Sequence, residues 1–241
     1  MENSFNPFDN PSNRVLVAQS TEVERVAFYK KTYAHVAGGV LLFVLFEYVL
    51  LQSSAIVEFA LSMTQGYRWL LLLGGFMLIT NYAESTALKT TDKNLQYMAY
   101  AGYVFAEAFI FIPLIFIAIA YTDGQGFAIL QQAGIVTLTL FAGLSAVVLM
   151  TKKDFSFLRS ALTIGFFIAI GLIIAGSLFG FNLGLWFSVG MCVLAGGSIL
   201  YQTSNLVHRF TTEDYIPAAI GLFASLMLLF WYVLRIFMSR D

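Results

Sequence analysis

Residues 95–121 read LQYMAYAGYVFAEAFIFIPLIFIAIAY, an apolar run with a single charged residue, Glu107, near its middle. The run is longer than the ~20 residues that a helix needs to cross the hydrocarbon of a bilayer. A carboxylate placed there costs roughly 2.5–3.5 kcal/mol on insertion scales, so such a side chain faces a bundle interior or a water-filled path. The stretch therefore reads as a membrane-spanning helix with one polar side.

Six further stretches have the same character. The expected spans are 32–52, 67–86, 95–121, 126–150, 158–179, 184–207 and 216–237. The fold class that follows is an all-α integral membrane protein, a seven-transmembrane-helix bundle over residues 32–241, preceded by a tail at 1–31. The composition agrees: 59% of residues are hydrophobic, 11% are charged and the mean hydropathy is +0.79, where soluble domains carry about 25% charge. The second span is the softest, fraying into Asn81 and Glu84, and Pro113 should kink the third. Residues 1–20 are rich in Asn, Pro and Ser and read as mobile, with a short mixed-charge helical pattern after them. No apolar core precedes residue 32, so no cleavable signal is expected.

Charge sets the expected orientation. Arg14, Arg25, Lys30 and Lys31 lie in the tail, and Lys89, Lys93, Lys152, Lys153, Arg159 and Arg209 lie in the loops on the same side. Only Arg68, Arg235 and Arg240 fall on the other side. Positive residues favour the cytoplasm, so the N-terminal tail is expected to be cytoplasmic and the C-terminus extracytoplasmic. With a net charge of -1 the chain has no basic face to neutralise phosphates, which argues against a nucleic-acid partner. The expected surroundings are the lipid bilayer.

Glu107 shares a helical face with Tyr100 and Tyr103, at i-7 and i-4, whose phenols are expected to hydrogen-bond the carboxyl. Pro113 leaves the carbonyl of Phe109 without its helical donor, and a carboxyl beside a broken helix resembles the ion sites of transporters. Two readings stay open here, an ion path and a protonated Glu satisfied by packing. Glu47 lies near the outer end of the first span and is expected to snorkel to the interface; Glu84 is expected to be solvated. The sixth span carries a small and polar face, Ser188, Cys192, Ala195, Ser198, Gln202 and Asn205, and the seventh offers Ala218, Gly221 and Ser225. Such faces read as close helix packing, with Gln202 singled out because a buried amide needs several partners. The Gly176-xxx-Gly180-xxx-Gly184 spacing reads as a turn.

Enzyme patterns are missing. There is no His-Glu-x-x-His zinc motif and no phosphate-cradling glycine loop, Cys192 is the single cysteine, and His35 and His208 sit at span ends. No enzyme activity, metal or cofactor is expected.

The stretch LYQTSNLVHRFTTEDYIPAAIGLFASLMLLF (200–230) resembles the signature region of the Bax inhibitor family, the transmembrane Bax-inhibitor-motif proteins. TKKDFSFLRSAL (151–162) resembles the corresponding loop of that family's bacterial YccA-like branch, and GYVFAEAFIFIPL (102–114) is similar to its third span. The resemblance covers roughly residues 25–241. It implies one of two roles in a bacterial inner membrane. Members of the YccA-like branch interact with the membrane AAA protease FtsH and restrain it. Others are calcium leak channels gated by an aspartate pair on the sixth and seventh spans. At the positions of that pair this chain has Gln202 and Ser225, with Leu228 where Asn is expected, and neither Gln nor Ser titrates. Two carboxylates sharing a proton are unavailable there, and calcium prefers carboxylate ligands. Any calcium or proton path is then expected to rest on Glu107, with Tyr100, Tyr103, Gln202 and Ser225 beside it.

Overall fold

The computed structural model describes residues 15–120 and 126–239. Among these residues it is almost wholly helical: a 3-10 turn at Val17–Gln19, then α1 (Glu22–Leu50), α2 (Ser54–Ser62), α3 (Tyr67–Lys89), α4 (Lys93–Ala120), α5 (Gly126–Thr151), α6 (Leu158–Phe179), α7 (Gly184–His208) and α8 (Tyr215–Met238). The seven long helices correspond to the seven expected spans, and the protein is a multi-pass helical membrane bundle. Six of them are long and apolar enough to cross a bilayer. The seventh, α3, is long enough, but Asn81, Glu84, Ser85 and Thr86 dilute its apolar run.

Two features add to the expected layout, and one expectation needs correction. The connection between the first two spans holds α2, a nine-residue helix too short to cross a bilayer. It turns Val57 and Ala60 inward, one turn apart, against α4. The first helix starts at Glu22, so the short mixed-charge helical pattern expected after residue 20 runs unbroken into the first span. Thr21 caps that helix: its backbone N–H donates to Glu24 Oε2 at 2.9 Å, and Glu24 N–H donates to Thr21 Oγ1 at 3.3 Å, a reciprocal cap that satisfies orphan donors at the helix start. Finally, residues 15–20 are not mobile. Val17 is fully buried, its N–H donates to the Phe210 carbonyl at 2.9 Å, and Thr212 N–H donates to the Val15 carbonyl at 3.3 Å. Leu16 and Thr211 pair as an antiparallel bridge. The segment is thus pinned to the α7–α8 loop, while residues 1–14 of the expected mobile tail lie outside the described residues.

The core sits on α4 and α8. A helix that is apolar all round is a buried one, and α8 packs against α1, α3, α4, α5 and α7. Ile216, Ile220, Leu222, Phe223 and Leu234 of α8 are fully buried, as is Ile112 of α4. Pro113 lies inside the continuous α4. At the edge, α6 buries only Ala169 and turns Phe166, Phe167 and Ile168 outward, as a lipid-facing helix should. Gly180 ends α6 in a left-handed conformation (φ 74°), and its N–H donates to the Gly176 carbonyl at 2.9 Å. This is the glycine stop that the spacing predicts.

Candidate functional site

Glu107 points into the bundle, 6% exposed. Tyr103, one helical turn earlier on the same face, lines the same cavity as the carboxyl. Tyr100 does not, contrary to expectation. Two turns carry it about 10 Å along the axis, and its hydroxyl donates to the His35 carbonyl on α1 at 2.7 Å. Gly39 makes that reach feasible: a Cβ there would collide with the Tyr100 hydroxyl and lie 3.2 Å from Phe223 Cδ2.

Across the bundle, α7 and α8 meet along a neutral polar seam. Ser225 Oγ donates to the Gly221 carbonyl at 2.9 Å, so the 2.8 Å bond between Ser198 and Ser225 takes its proton from Ser198. One turn on, the Gln202 side chain lies over Gly221, where a Cβ would come within 3.0 Å of its Cδ and Oε1. Gly221 is therefore the gap in α8 that receives the Gln202 amide. The seam contains no carboxylate, and its hydroxyls satisfy one another, as polar groups in hydrocarbon must.

Glu107 and this seam face a common space. Tyr103, Glu107, Ser198, Gln202 and Ser225 line one cavity of about 290 Å³, closed on other sides by Trp69, Phe111, Leu228 and Trp231. Four of the five residues singled out as ion-path candidates thus share one cavity, and Tyr100 stands outside it. With Tyr232, which also lines it, the cavity offers one carboxyl, two phenols, one amide and two hydroxyls among largely apolar walls. That set can hold water or pass a proton; it lacks the several oxygen ligands, usually including more than one carboxylate, that calcium takes.

At the end of the bundle holding Lys152 and Lys153, the 151–162 stretch is tied to α7. Ser204 Oγ accepts the Phe155 N–H at 2.9 Å and donates to Asp154 Oδ1 at 3.3 Å, and His208 Nε2 donates to the Lys152 carbonyl at 3.1 Å. The Ser156 N–H, 2.8 Å from Asp154 Oδ1, holds that carboxyl below the usual aspartate range. Ser204 is an anchor that the sequence reading missed; only its place on the buried side of α7 marks it.

Glu47 departs most from expectation. It does not snorkel: it is 5% exposed, and neither carboxyl oxygen has a hydrogen-bond partner among the described residues. It lies in the lining of a cavity between α1, α4, α5 and α8, and a single-sequence pattern does not reveal which helices pack around which face.

A family model described as inhibitor of apoptosis-promoting Bax1 matches residues 25–241. The chain belongs to the Bax inhibitor family. Within it, the chain is 37% identical over 121 residues to the modulator of FtsH protease YccA of Escherichia coli strain K12, which is 49% of this chain and 54% of that protein. It is 39% identical over 114 residues to an uncharacterized protein of Pseudomonas aeruginosa, covering 47% of this chain and 51% of the relative. Protein lifeguard 4 of Mus musculus is 35% identical over 111 residues, 43% of this chain and 44% of that protein. The chain spans about half the length of these curated relatives. The bacterial matches accord with the YccA-like character of the 151–162 loop.

Proposed function

We propose that this Bax inhibitor family protein is a non-enzymatic modulator of an FtsH-type membrane protease, working in a bacterial inner membrane with its N-terminus cytoplasmic and its C-terminus extracytoplasmic. The observation that carries this reading is the neutral α7–α8 seam. Where a gated leak channel of the family would place two carboxylates, Gln202 rests on Gly221 and Ser225 bonds Ser198. A seam satisfied in this way packs two helices and has no charge to change. The similarity to a protein named for modulating FtsH supports the partner. So does the pinning of Val17 to the α7–α8 loop, which starts the described chain at the basic end, the side on which a cytoplasmic protease domain would meet it.

Deleting residues 1–14 leaves the Val17 anchor and the Thr21 cap in place. The shortened chain should insert normally and have a longer half-life in cells that contain the protease, with no difference in cells that lack it. Equal half-lives in both backgrounds would overturn the reading.

A second reading is favoured by one observation, the convergence of Glu107, Tyr103, Gln202 and Ser225 on one cavity. In it the protein is a slow proton or cation leak with Glu107 as the relay carboxyl. Proteoliposomes would then lose a pH or calcium gradient at a rate that Glu107→Gln abolishes. A leak that survives this substitution contradicts it.

A further inference from the structure

A second cavity, of about 650 Å³, lies between α1, α4, α5 and α8 in the half of the bundle away from the basic loops. Its volume is that of a pocket for a drug-sized molecule. Its walls are apolar, and the rings of Phe43, Tyr48, Phe127 and Phe230 face it. Glu47 and Thr137 stand in this lining, and both carboxyl oxygens of Glu47 and the hydroxyl of Thr137 are buried without a hydrogen-bond partner among the described residues. The contrast within α5 is informative. Thr139, on the outer face, donates to the Ile135 carbonyl at 2.8 Å, while Thr137, turned to the cavity, makes no such bond. Buried polar groups are satisfied in native structures far more often than not, and a buried carboxyl is neutralised either by a proton or by a counter-charge. Among the described residues lining the cavity there is no Lys, Arg or His.

We infer that this cavity binds a lipophilic organic cation, a positively charged nitrogen or phosphorus centre on an apolar body, with Glu47 as its counter-ion. Each part of the lining fits one part of that ligand. The carboxylate supplies the charge that a cation taken out of water requires. The aromatic rings hold a diffuse cation on their faces, and the aliphatic walls take the body. The remaining contents do not fit. An acyl chain would leave Glu47 unpartnered, and a small inorganic cation such as calcium would find a single carboxyl beside the neutral side chains of Tyr48, Gln52, Gln131 and Thr137, where it takes six to eight oxygens that usually include several carboxylates. The way in is lateral: α1 and α5 each pack on α8 but hardly on one another. Val44, Tyr48 and Leu138 at the cavity rim are outward-facing, so a solute dissolved in the membrane reaches the site from lipid.

The probe is tetraphenylphosphonium, with tetraphenylborate as the control of the same shape and opposite charge. Both are titrated onto the full chain in lipid nanodiscs, with empty nanodiscs subtracting partition into lipid. The phosphonium should bind saturably and the borate should not. Glu47→Gln keeps the side-chain shape and should weaken phosphonium binding at least tenfold. Gly134→Leu fills the cavity from α5, where a Cβ meets no atom within 4 Å, and should remove binding while leaving Glu47 in place. Thermal melts of both variants establish that they fold. Saturable binding of the borate equal to that of the phosphonium overturns the proposal. So does unchanged phosphonium binding in folded Glu47→Gln, the absence of saturable binding in the natural chain, or an acyl lipid that co-purifies with the natural chain and is displaced in Gly134→Leu.

Discussion

Gly39→Ala tests the contact that corrects the place of Tyr100. The new methyl would sit where the Tyr100 hydroxyl lies, 2.9 Å from Tyr100 Cζ and 3.2 Å from Phe223 Cδ2. Neither ring has room to withdraw, because Tyr100 is 7% exposed, Phe223 is fully buried, and the two pack edge to face at 6.1 Å. Overpacking of this kind costs roughly 1–3 kcal/mol. Displacing the hydroxyl from the His35 carbonyl leaves a buried donor without a partner, another 1–3 kcal/mol or so. Against this, Ala is better than Gly in a helix interior by about 1 kcal/mol. The balance is a loss of about 3 kcal/mol, or a fall in Tm of roughly 6–12 °C for a chain of this length. The assay is thermal unfolding in detergent, run as a cycle with Tyr100→Phe. Removing the hydroxyl first takes away the closest atom, so the double variant should be more stable than the sum of the single changes predicts, by more than about 1 kcal/mol. A Tm within about 1 °C of the natural chain in Gly39→Ala, or strict additivity in the cycle, would refute the contact.

Glu107→Gln should leave stability nearly unchanged, because it retains the shape and most of the hydrogen-bonding capacity of the side chain in its cavity. Glu107→Leu should cost about 1–3 kcal/mol by removing the carboxyl's hydrogen-bonding capacity from the polar side of that cavity, and melts of the two variants side by side check this. Asp154 is held below its ordinary value in the folded chain, so its contribution is fully present above that ordinary value, about pH 4, and is lost as pH falls further through the folded value. The natural chain should therefore lose loop order below about pH 4 while Asp154→Asn does not, as read by hydrogen exchange at Phe155 and Ser156. Reporter fusions at Asp241 should register as extracytoplasmic, given ten Lys and Arg at the opposite end; a cytoplasmic signal would reverse the orientation.

Much of the fold was legible because the apolar runs are long and the charges between them few. The 3.6-residue period also brought Glu107 and Tyr103 together, since i and i+4 meet on one helix whatever surrounds it. What the sequence hid depends on neighbours. Tyr100 has the right face for Glu107, yet a carbonyl on α1 stands nearer to its hydroxyl, and nothing local to residues 95–121 reports that. Glu47 reads as interfacial from its position in the span; its burial follows from the packing of α1 against α4 and α8, far away in sequence. The start of α1 has a local signal, the Thr21 and Glu24 capping pair, which the first span as expected at 32–52 did not use. The docking of Val17 has no such signal, because its partner lies at residue 210, across the whole chain.

The central claim is protease modulation without a carboxylate gate. It is tested most directly by reconstituting the purified chain with an FtsH-type protease in proteoliposomes and timing the degradation of a membrane-protein substrate. The account predicts that degradation slows in proportion to added chain, and slows equally with Glu107→Gln. Degradation that is unaffected by the chain at any ratio would contradict it.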